Sequence, residues 1–357
     1  MRHNAMLVAG LLALLIIAGV GCERKIINED SGESQASLNS CFTCHGEDGY
    51  LLAAKGEWQN SVHASGTSVD YTNRGGSNCT QCHDHQGFID FLETGQVNAP
   101  YDNVSAIHCF TCHAPHTRGN LSLRVDDPYT LINGVTFNLG SANLCANCHH
   151  ASTSVNTIAA NMQVYNRWGP HHGPQSDLLI ATGGYEYDDL EYDYENTGHG
   201  ANDDGCIMCH MGNPQAHSGY AMGGHSFNMV NPSDPEEILV GVCQRCHTSA
   251  VNFDYDDIQT DVENMLEELG QLLIAAGHLN ASSGLPSGTS QNRHTIADKG
   301  EAGALWNYLM IEEDRSRGVH NPEYIRDLLE SSIEYMESRL PSKSGGLALT
   351  LGPIPAH

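Results

Sequence analysis

The chain has 357 residues, of which 16 are basic and 43 acidic, so its formal charge is −27 with histidine neutral. This balance argues against binding to nucleic acid or anionic surfaces, because the protein would repel phosphates. Only 40% of the residues are apolar and 7% aromatic, whereas 13 are cysteine and 21 histidine. The chain thus has few apolar side chains to form the hydrophobic core of a protein of this length, and its many cysteines and histidines argue against an ordinary cytosolic enzyme.

The N-terminal residues predict export. Arg2 precedes an apolar run from Ala5 to Val20, which is too short to span a membrane and is typical of a secretory signal peptide. Small residues before Cys22 resemble a bacterial lipobox, in which the cysteine becomes lipidated. Cleavage nearby without lipidation is the alternative. We expect a lipoprotein signal peptide over residues 1–21 and a polar tether over residues 22–40. The mature protein is then exported and lipid-anchored at the outer membrane, on its periplasmic or cell-surface side.

The other twelve cysteines all belong to six CxxCH pentads. Two thiols three positions apart can form thioethers with the two vinyl groups of one haem, and the next histidine supplies an axial iron ligand. Redox CxxC pairs and zinc knuckles do not explain a histidine after every second cysteine. The pattern predicts six covalently bound haems c within residues 41–250. The thioether cysteines are Cys41, Cys44, Cys79, Cys82, Cys109, Cys112, Cys145, Cys148, Cys206, Cys209, Cys243 and Cys246. The proximal iron ligands are His45, His83, His113, His149, His210 and His247.

Histidines in surplus can supply the second axial ligands. Two imidazoles on one iron leave no place for substrate, so such a haem only transfers electrons, whereas an open position permits chemistry. Seven candidates compete for the six distal positions: His63, His108, His116, His171, His199, His225 and His320. His171 and His172 are expected to give one ligand between them, because adjacent side chains point apart. Lower-ranked candidates are His85, His150, His217, His278 and His294.

After the sixth pentad, the spacing of apolar residues becomes typical of α-helices. Apolar residues at helical spacing predict an amphipathic helix over residues 255–276, ended by Gly277. A second helix is expected over about residues 301–313, and a third from Pro322, a favourable first helical position, to about residue 340. We interpret residues 251–357 as a helical domain that covers the haems and supplies His320. A packing or dimerisation role without a haem ligand is the alternative.

Several segments resemble known multihaem cytochromes. The run RGVHNPEY at residues 317–324, with Trp306 upstream, is similar to the C-terminal region of a group that includes pentahaem nitrite reductase, octahaem hydroxylamine oxidoreductase and octahaem tetrathionate reductases. The HHGPQ run at residues 171–175 and the GHSF run at 224–227 resemble lipoprotein cytochromes of metal-reducing bacteria. This resemblance implies that His171, rather than His172, and also His225 and His320, are distal ligands. The CxxCK motif that usually carries the catalytic haem of nitrite reductases does not occur.

These observations predict a mainly α, loop-rich multihaem cytochrome fold, with the haem stack as its core and a C-terminal helical bundle. The expected function is single-electron transfer through mostly bis-histidine haems to other cytochromes, redox proteins or extracellular acceptors. The alternative is an enzyme that reduces nitrite, hydroxylamine or tetrathionate at one open-coordinate haem. The acidic run over residues 186–195 is interpreted as a solvated loop, with a calcium site or a docking patch as alternatives.

Overall fold

A computed structural model describes residues 48–65, 79–98, 101, 104–115, 121–195, 198–202, 204–217 and 220–340. The predicted signal peptide and tether, the first pentad and His116 lie outside these residues. Among the described helices, none has the length and apolar character needed to cross a membrane.

The described residues are mainly helical and rich in loops. The α-helices are α1 Gly49–Trp58, α2 Thr80–His83, α3 His85–Thr94, α4 Cys109–Cys112, α5 Asn143–Ala146, α6 Gln175–Leu179, α7 Gly205–His210, α8 Ile258–Ala275, α9 Lys299–Asp314 and α10 Pro322–Arg339. The strands are β1 Tyr129–Thr130, β2 Thr136–Phe137, β3 Met162–Val164, β4 Gln215–His217, β5 Tyr220–Met222, β6 Val230–Asn231, β7 Asp234–Ile238 and β8 His294–Ile296. They pair antiparallel as β1–β2, β3–β8, β4–β5 and β6–β7.

The three long C-terminal helices begin and end close to their predicted bounds. Helix α8 starts three residues later than expected, because Asp256 and Asp257 have φ angles of 54° and 58°, which an α-helix does not accommodate. Gly277 has a φ of 80° and follows the end of α8, as predicted. The side chain of Asp298 caps α9, and that of Asn321 caps α10 directly before Pro322.

Helices α8, α9 and α10 surround the largest apolar core of the described residues. Leu269, Trp306 and Leu328 are fully buried within it. The indole Nε1 of Trp306 also donates a hydrogen bond to the carbonyl of Gly183 at 2.9 Å, which ties the core to the segment after α6. This unit is therefore stabilised in the usual way, by apolar burial.

The pentad-bearing part contains only small apolar clusters in the described residues. One cluster has Phe137 and Leu179 among its buried members, and another consists of Met222, Leu239 and Val242. Strand β3 pairs with β8, with Val164 opposite His294, and so joins the middle of the chain to the loop between α8 and α9. This pairing and the Trp306 bond thus connect the long helices to the segment between the fourth and fifth pentads.

Candidate haem-binding site

Five pentads lie in the described residues, and each forms a helical turn. The backbone N–H of His113 donates to the carbonyl of Cys109 at 2.9 Å, which closes the turn of α4. The equivalent bond measures 2.9 Å in the fourth pentad and 2.8 Å in the sixth. Residues i and i+3 of such a turn lie on one side of it. Both thiols of a pentad therefore face the same way, as attachment to a single porphyrin requires.

Four pentad histidines face a predicted distal histidine at nearly the same separation. The distances between ring centres are 6.2 Å for His113 and His225, 6.1 Å for His149 and His63, 6.3 Å for His210 and His320, and 6.2 Å for His247 and His199. A metal bound by one nitrogen of each ring, with bonds of about 2 Å, needs ring centres roughly 6 Å apart. The four pairs therefore fit an iron between the two rings.

Other histidine contacts have different separations. The ring centres of His85 and His108 lie only 4.0 Å apart, so these rings touch directly. The Nδ1 of His278 and the Nε2 of His294 are 3.0 Å apart and share a hydrogen bond. Among the described residues, no three or more His, Cys, Asp or Glu side chains form a group that could hold a metal ion.

Most paired imidazoles use Nδ1 for a hydrogen bond, which leaves Nε2 for iron. The partners are the carbonyls of Leu121 for His113 (2.8 Å), Val319 for His199 (2.7 Å) and Phe227 for His210 (3.1 Å), the amide oxygen of Gln175 for His149 (3.4 Å), and the carboxylate of Asp314 for His320 (2.6 Å). Metal-bound histidines characteristically donate their other ring N–H to such groups, which fixes the tautomer and the ring orientation.

His63 occupies a short 3₁₀ turn, Val62–Ala64, directly after α1. The hydroxyl of Ser61 accepts a hydrogen bond from the backbone N–H of Ala64 and caps this turn. Burial lowers the pKa of His63 to about 4, with a further contribution from the charges of His149 and His210. The imidazole is therefore neutral at pH 7, the state in which it can bind iron.

His225 lies on a turn that depends on two glycines. Gly223 and Gly224 have φ angles of 69° and 52°, and a Cβ on Gly224 would collide with the carboxylate of Glu57. That carboxylate accepts a hydrogen bond from the backbone N–H of His225 at 2.9 Å, and it lies 3.5 Å from Nδ1 of the ring. Helix α1, which carries Glu57, thus positions the distal partner of the third pentad.

The turn between α9 and α10 positions His320. Arg315 and Arg317 have φ angles of 63° and 53°, although neither is glycine, and this conformation costs free energy. Asp314, the last residue of α9, accepts hydrogen bonds from Nδ1 of His320 and from the backbone N–H and hydroxyl of Ser316. The strained turn is held in place by these bonds and aims His320 at His210.

The residues around this turn also contact the histidine pairs of two other pentads. The carbonyl of Val319 accepts the Nδ1 bond of His199, the partner of the sixth pentad. The side-chain nitrogen of Gln175 donates to the carbonyls of Glu313 and Asp314 at 3.2 and 3.3 Å, while its oxygen faces His149. The turn therefore holds imidazoles of the fifth and sixth pentads, and the end of α9 reaches that of the fourth pentad through Gln175.

His171 and His172 are both near the second pentad. Burial is the main cause that lowers the pKa of His83, and the nearby charge of His172 lowers it further. Burial also lowers the pKa of His171, and the charge of His83 adds to that effect. Nδ1 of His172 is 2.6 Å from the carboxylate of Glu313, whereas His171 has a φ of 72°. The two rings are only 4.7 Å apart between centres, which suits one ligand rather than two.

The remaining candidates have structural partners. His108 is buried and caps α4, where its Nδ1 faces the backbone N–H of Phe110 at 3.3 Å. Burial lowers the pKa of His85 to about 3 and that of His108 to about 4, so both rings are neutral at pH 7. The Nε2 of His150 hydrogen-bonds the hydroxyl of Tyr129 at 3.1 Å. The side chain of His217 lies outside the described residues.

Cysteines of different pentads approach one another. The Cys206 thiol lies beside that of Cys145, and this proximity, together with burial, raises the pKa of Cys206 well above its ordinary value. The thiols of Cys82 and Cys148 are neighbours in the same way. The second pentad therefore neighbours the fourth, and the fourth neighbours the fifth. Cysteines of the fifth and sixth pentads pack on one small apolar cluster.

Comparison with known proteins agrees with the haem assignment. Residues 188–340 match the family model described as cytochrome c552. A crystal structure described as the outer cell wall cytochrome OcwA aligns with 78% of this chain, at a TM-score of 0.50 and 21% identity. The family match over residues 188–340 and the repeated pentads together support a multihaem c-type cytochrome. The cytochrome spans about half of the OcwA chain, 49% of its length, and the likeness is one of fold. No curated protein is significantly similar to it in sequence.

Cytochromes of this type bind haem c covalently, and the pentads fit that chemistry. Sequence reasoning missed the residues that orient the imidazoles, above all Glu57, Gln175 and Asp314. The only signal for Asp314 is its position, six residues before His320. Gln175 ends the HHGPQ run, but that resemblance pointed to His171 and not to a role for the glutamine at His149. Glu57 has no recognisable signal, because it is 168 residues from His225 along the chain.

Proposed function

We propose that this cytochrome holds six haems c, one on each pentad, and transfers single electrons along them. Haem iron with two axial imidazoles alternates between the Fe(III) and Fe(II) states and exchanges one electron at a time. The observation that supports this role is the set of four histidine pairs with ring centres 6.1 to 6.3 Å apart. Two ligands on an iron leave no position for substrate, so these four sites suit electron transfer.

The distal ligands follow from the pairs. His225, His63, His320 and His199 serve the third, fourth, fifth and sixth pentads, respectively. The first two pentads, with proximal ligands His45 and His83, draw on His108, His116 and one of the His171–His172 pair. The contacts between thiols of different pentads support haems close enough for electrons to pass from the second pentad through the fourth and fifth to the sixth.

The cytochrome is proposed to work outside the cytoplasm. An apolar signal peptide and a lipobox-like Cys22 support export and anchoring at the outer membrane, and the related fold of an outer cell wall cytochrome agrees with a surface location. Its net charge of −27 favours electrostatic steering of cationic donors or acceptors, such as the basic faces of other redox proteins. Extracellular electron acceptors are the other class of partner.

Low-temperature EPR of the purified, oxidised protein, with haem quantified by the pyridine assay, tests the electron-transfer role. Six haems per chain, all low-spin, are expected. A high-spin signal from about one haem in six would overturn a purely electron-transferring role. It would support the alternative, a reductase of nitrite, hydroxylamine or tetrathionate, which turnover assays with those three substrates would then identify.

A Cys22→Ser variant tests the anchor. The wild-type protein is expected to incorporate labelled fatty acid, and the variant should not, with its haem content unchanged. A variant that still incorporates the label would show that Cys22 does not carry the anchor.

A further inference from the structure

The distal ligand of the fifth pentad is hydrogen-bonded to a buried carboxylate. The Nδ1 of His320 is 2.6 Å from Oδ1 of Asp314, and the Asp314 side chain is 0% exposed. The other oxygen of this carboxylate accepts two bonds from Ser316. Asp314 is therefore fixed in place at the end of α9 and shielded from water.

The other paired imidazoles have weaker or neutral partners. His113, His199 and His210 donate to backbone carbonyls, and His149 faces a neutral amide. His225 faces the carboxylate of Glu57, but its Nδ1 is 3.5 Å away, and both side chains are partly exposed, at 25% and 16%. Among the four pairs, only His210–His320 has a short hydrogen bond to a fully buried negative charge.

We propose that Asp314 lowers the reduction potential of the haem bound by His210 and His320 below those of its neighbours, an inference that rests on the bis-histidine function proposed above. A carboxylate that accepts the Nδ1 proton of an imidazole makes the ring a stronger electron donor and so stabilises Fe(III). Burial increases the effect, because a charge in a medium of low dielectric constant is screened little. Adding one electron to this haem is therefore opposed more strongly than at the other paired sites.

The position of the fifth pentad gives this effect a functional consequence. Its Cys206 contacts Cys145 of the fourth pentad, and its Cys209 packs on the same cluster as Cys243 of the sixth. The haem of lowered potential would thus lie between the fourth and sixth haems. Passage of an electron from one neighbour to the other would then include an energetically uphill step whose size Asp314 sets.

Redox titration of the full-length holoprotein, followed by optical spectroscopy and by EPR of the low-spin signals, tests the inference. In Asp314→Asn the midpoint of the fifth-pentad haem, identified as the low-spin signal that His320→Ala removes, is expected to rise. At the wild-type midpoint of that component, the ratio of reduced to oxidised haem should increase at least tenfold, which is about 59 mV for one electron. Glu312→Gln is the matched control, because Glu312 is on the same helix end but pairs with Arg317 rather than with a histidine.

A second variant separates charge from geometry. Ser316→Ala keeps the carboxylate and removes a hydrogen bond to it, so the midpoint of the fifth-pentad haem should stay low. An equal rise in Ser316→Ala or in Glu312→Gln would overturn the inference, as would an unchanged midpoint in Asp314→Asn. A high-spin haem in Asp314→Asn would assign Asp314 to holding His320 in place and also contradict it. If instead the wild-type haems are not all low-spin, the proposed function fails independently of these midpoints.

Discussion

Asp177 offers a quantitative test of how the pentad-bearing part is held together. It lies in α6 and is 1% exposed, with Oδ2 accepting a hydrogen bond from the backbone N–H of Ala151 at 2.8 Å. Its Oδ1 is buried without a hydrogen-bond partner. Burial raises the pKa of Asp177 from its ordinary value of 3.8 to about 6, although the bond from Ala151 opposes the shift. The folded protein thus carries an unfavourable charge at neutral pH.

The free energy involved follows from that shift. A change in pKa from 3.8 to about 6 corresponds to about 3 kcal/mol, at about 1.36 kcal/mol per unit. Because the folded-state pKa is higher than the unfolded one, the protein is expected to lose this stability as the pH rises from about 4 to beyond 6. Asparagine is neutral throughout and can still accept the bond from Ala151. Asp177→Asn should therefore stabilise the fold by about 2.5 kcal/mol more at pH 7.5 than at pH 4, because part of the stability is already lost at pH 4.

The measurement is the free energy of unfolding of holoprotein variants, from denaturant titration followed by far-ultraviolet circular dichroism at both pH values. Asp298→Asn is the matched control, since hydrogen bonds from Tyr335 and from the start of α9 outweigh burial and lower the pKa of Asp298. That variant should lose stability at pH 7.5 and less at pH 4. An Asp177→Asn variant that is equally destabilised at both pH values would refute the reasoning.

Three further substitutions have separate expected outcomes. His320→Ala should convert about one haem in six to high-spin in EPR, because it removes one axial ligand, and an all-low-spin spectrum would contradict its assignment. Gly224→Ala should remove the distal ligand from the third-pentad haem alone and make it high-spin, since the added Cβ displaces Glu57, which holds His225. Trp306→Phe should lose about 1–3 kcal/mol of unfolding free energy, because the buried carbonyl of Gly183 loses its partner, with the visible spectrum unchanged.

Sequence patterns predicted the features that depend on neighbouring residues. A CxxCH pentad forms its own helical turn, so the sequence alone places each pentad histidine directly beside its two cysteines. Helices α8 to α10 were predicted because their apolar residues repeat at helical spacing and face one core. The predicted start of α8 was three residues too early, because no sequence pattern indicates the left-handed backbone conformation of Asp256 and Asp257.

The pairing of the histidines could not be predicted, because it depends on contacts between distant segments. Glu57 and His225 are 168 residues apart in the chain, and Gln175 bonds the end of α9 across 139 residues. Two further acceptors, the carbonyls of Leu121 and Val319, are backbone atoms that any residue would supply. Composition showed that histidines were in surplus, but only the fold shows which ring faces which.

The turn between α9 and α10 should control two haems at once, and Gly318 tests this. Gly318 has a φ of 93°, and a Cβ there would lie 2.8 Å from the side chains of Ile258 and Val262. Gly318→Ala is therefore strained by about 1–3 kcal/mol and should shift the turn. Because this turn carries His320 and offers the Val319 carbonyl to His199, about two haems in six should lose their low-spin EPR signals.

The contrast with Gly224→Ala makes the test specific. That substitution acts on the turn held by α1, so it should affect one haem, and the two variants should change different low-spin signals. If Gly318→Ala instead perturbs all six haems equally, the C-terminal helices stabilise the whole protein rather than orient particular ligands. If it perturbs none, the hydrogen bonds at Asp314 and Val319 are not needed to hold the imidazoles, and α9 and α10 serve the haems only as a cover.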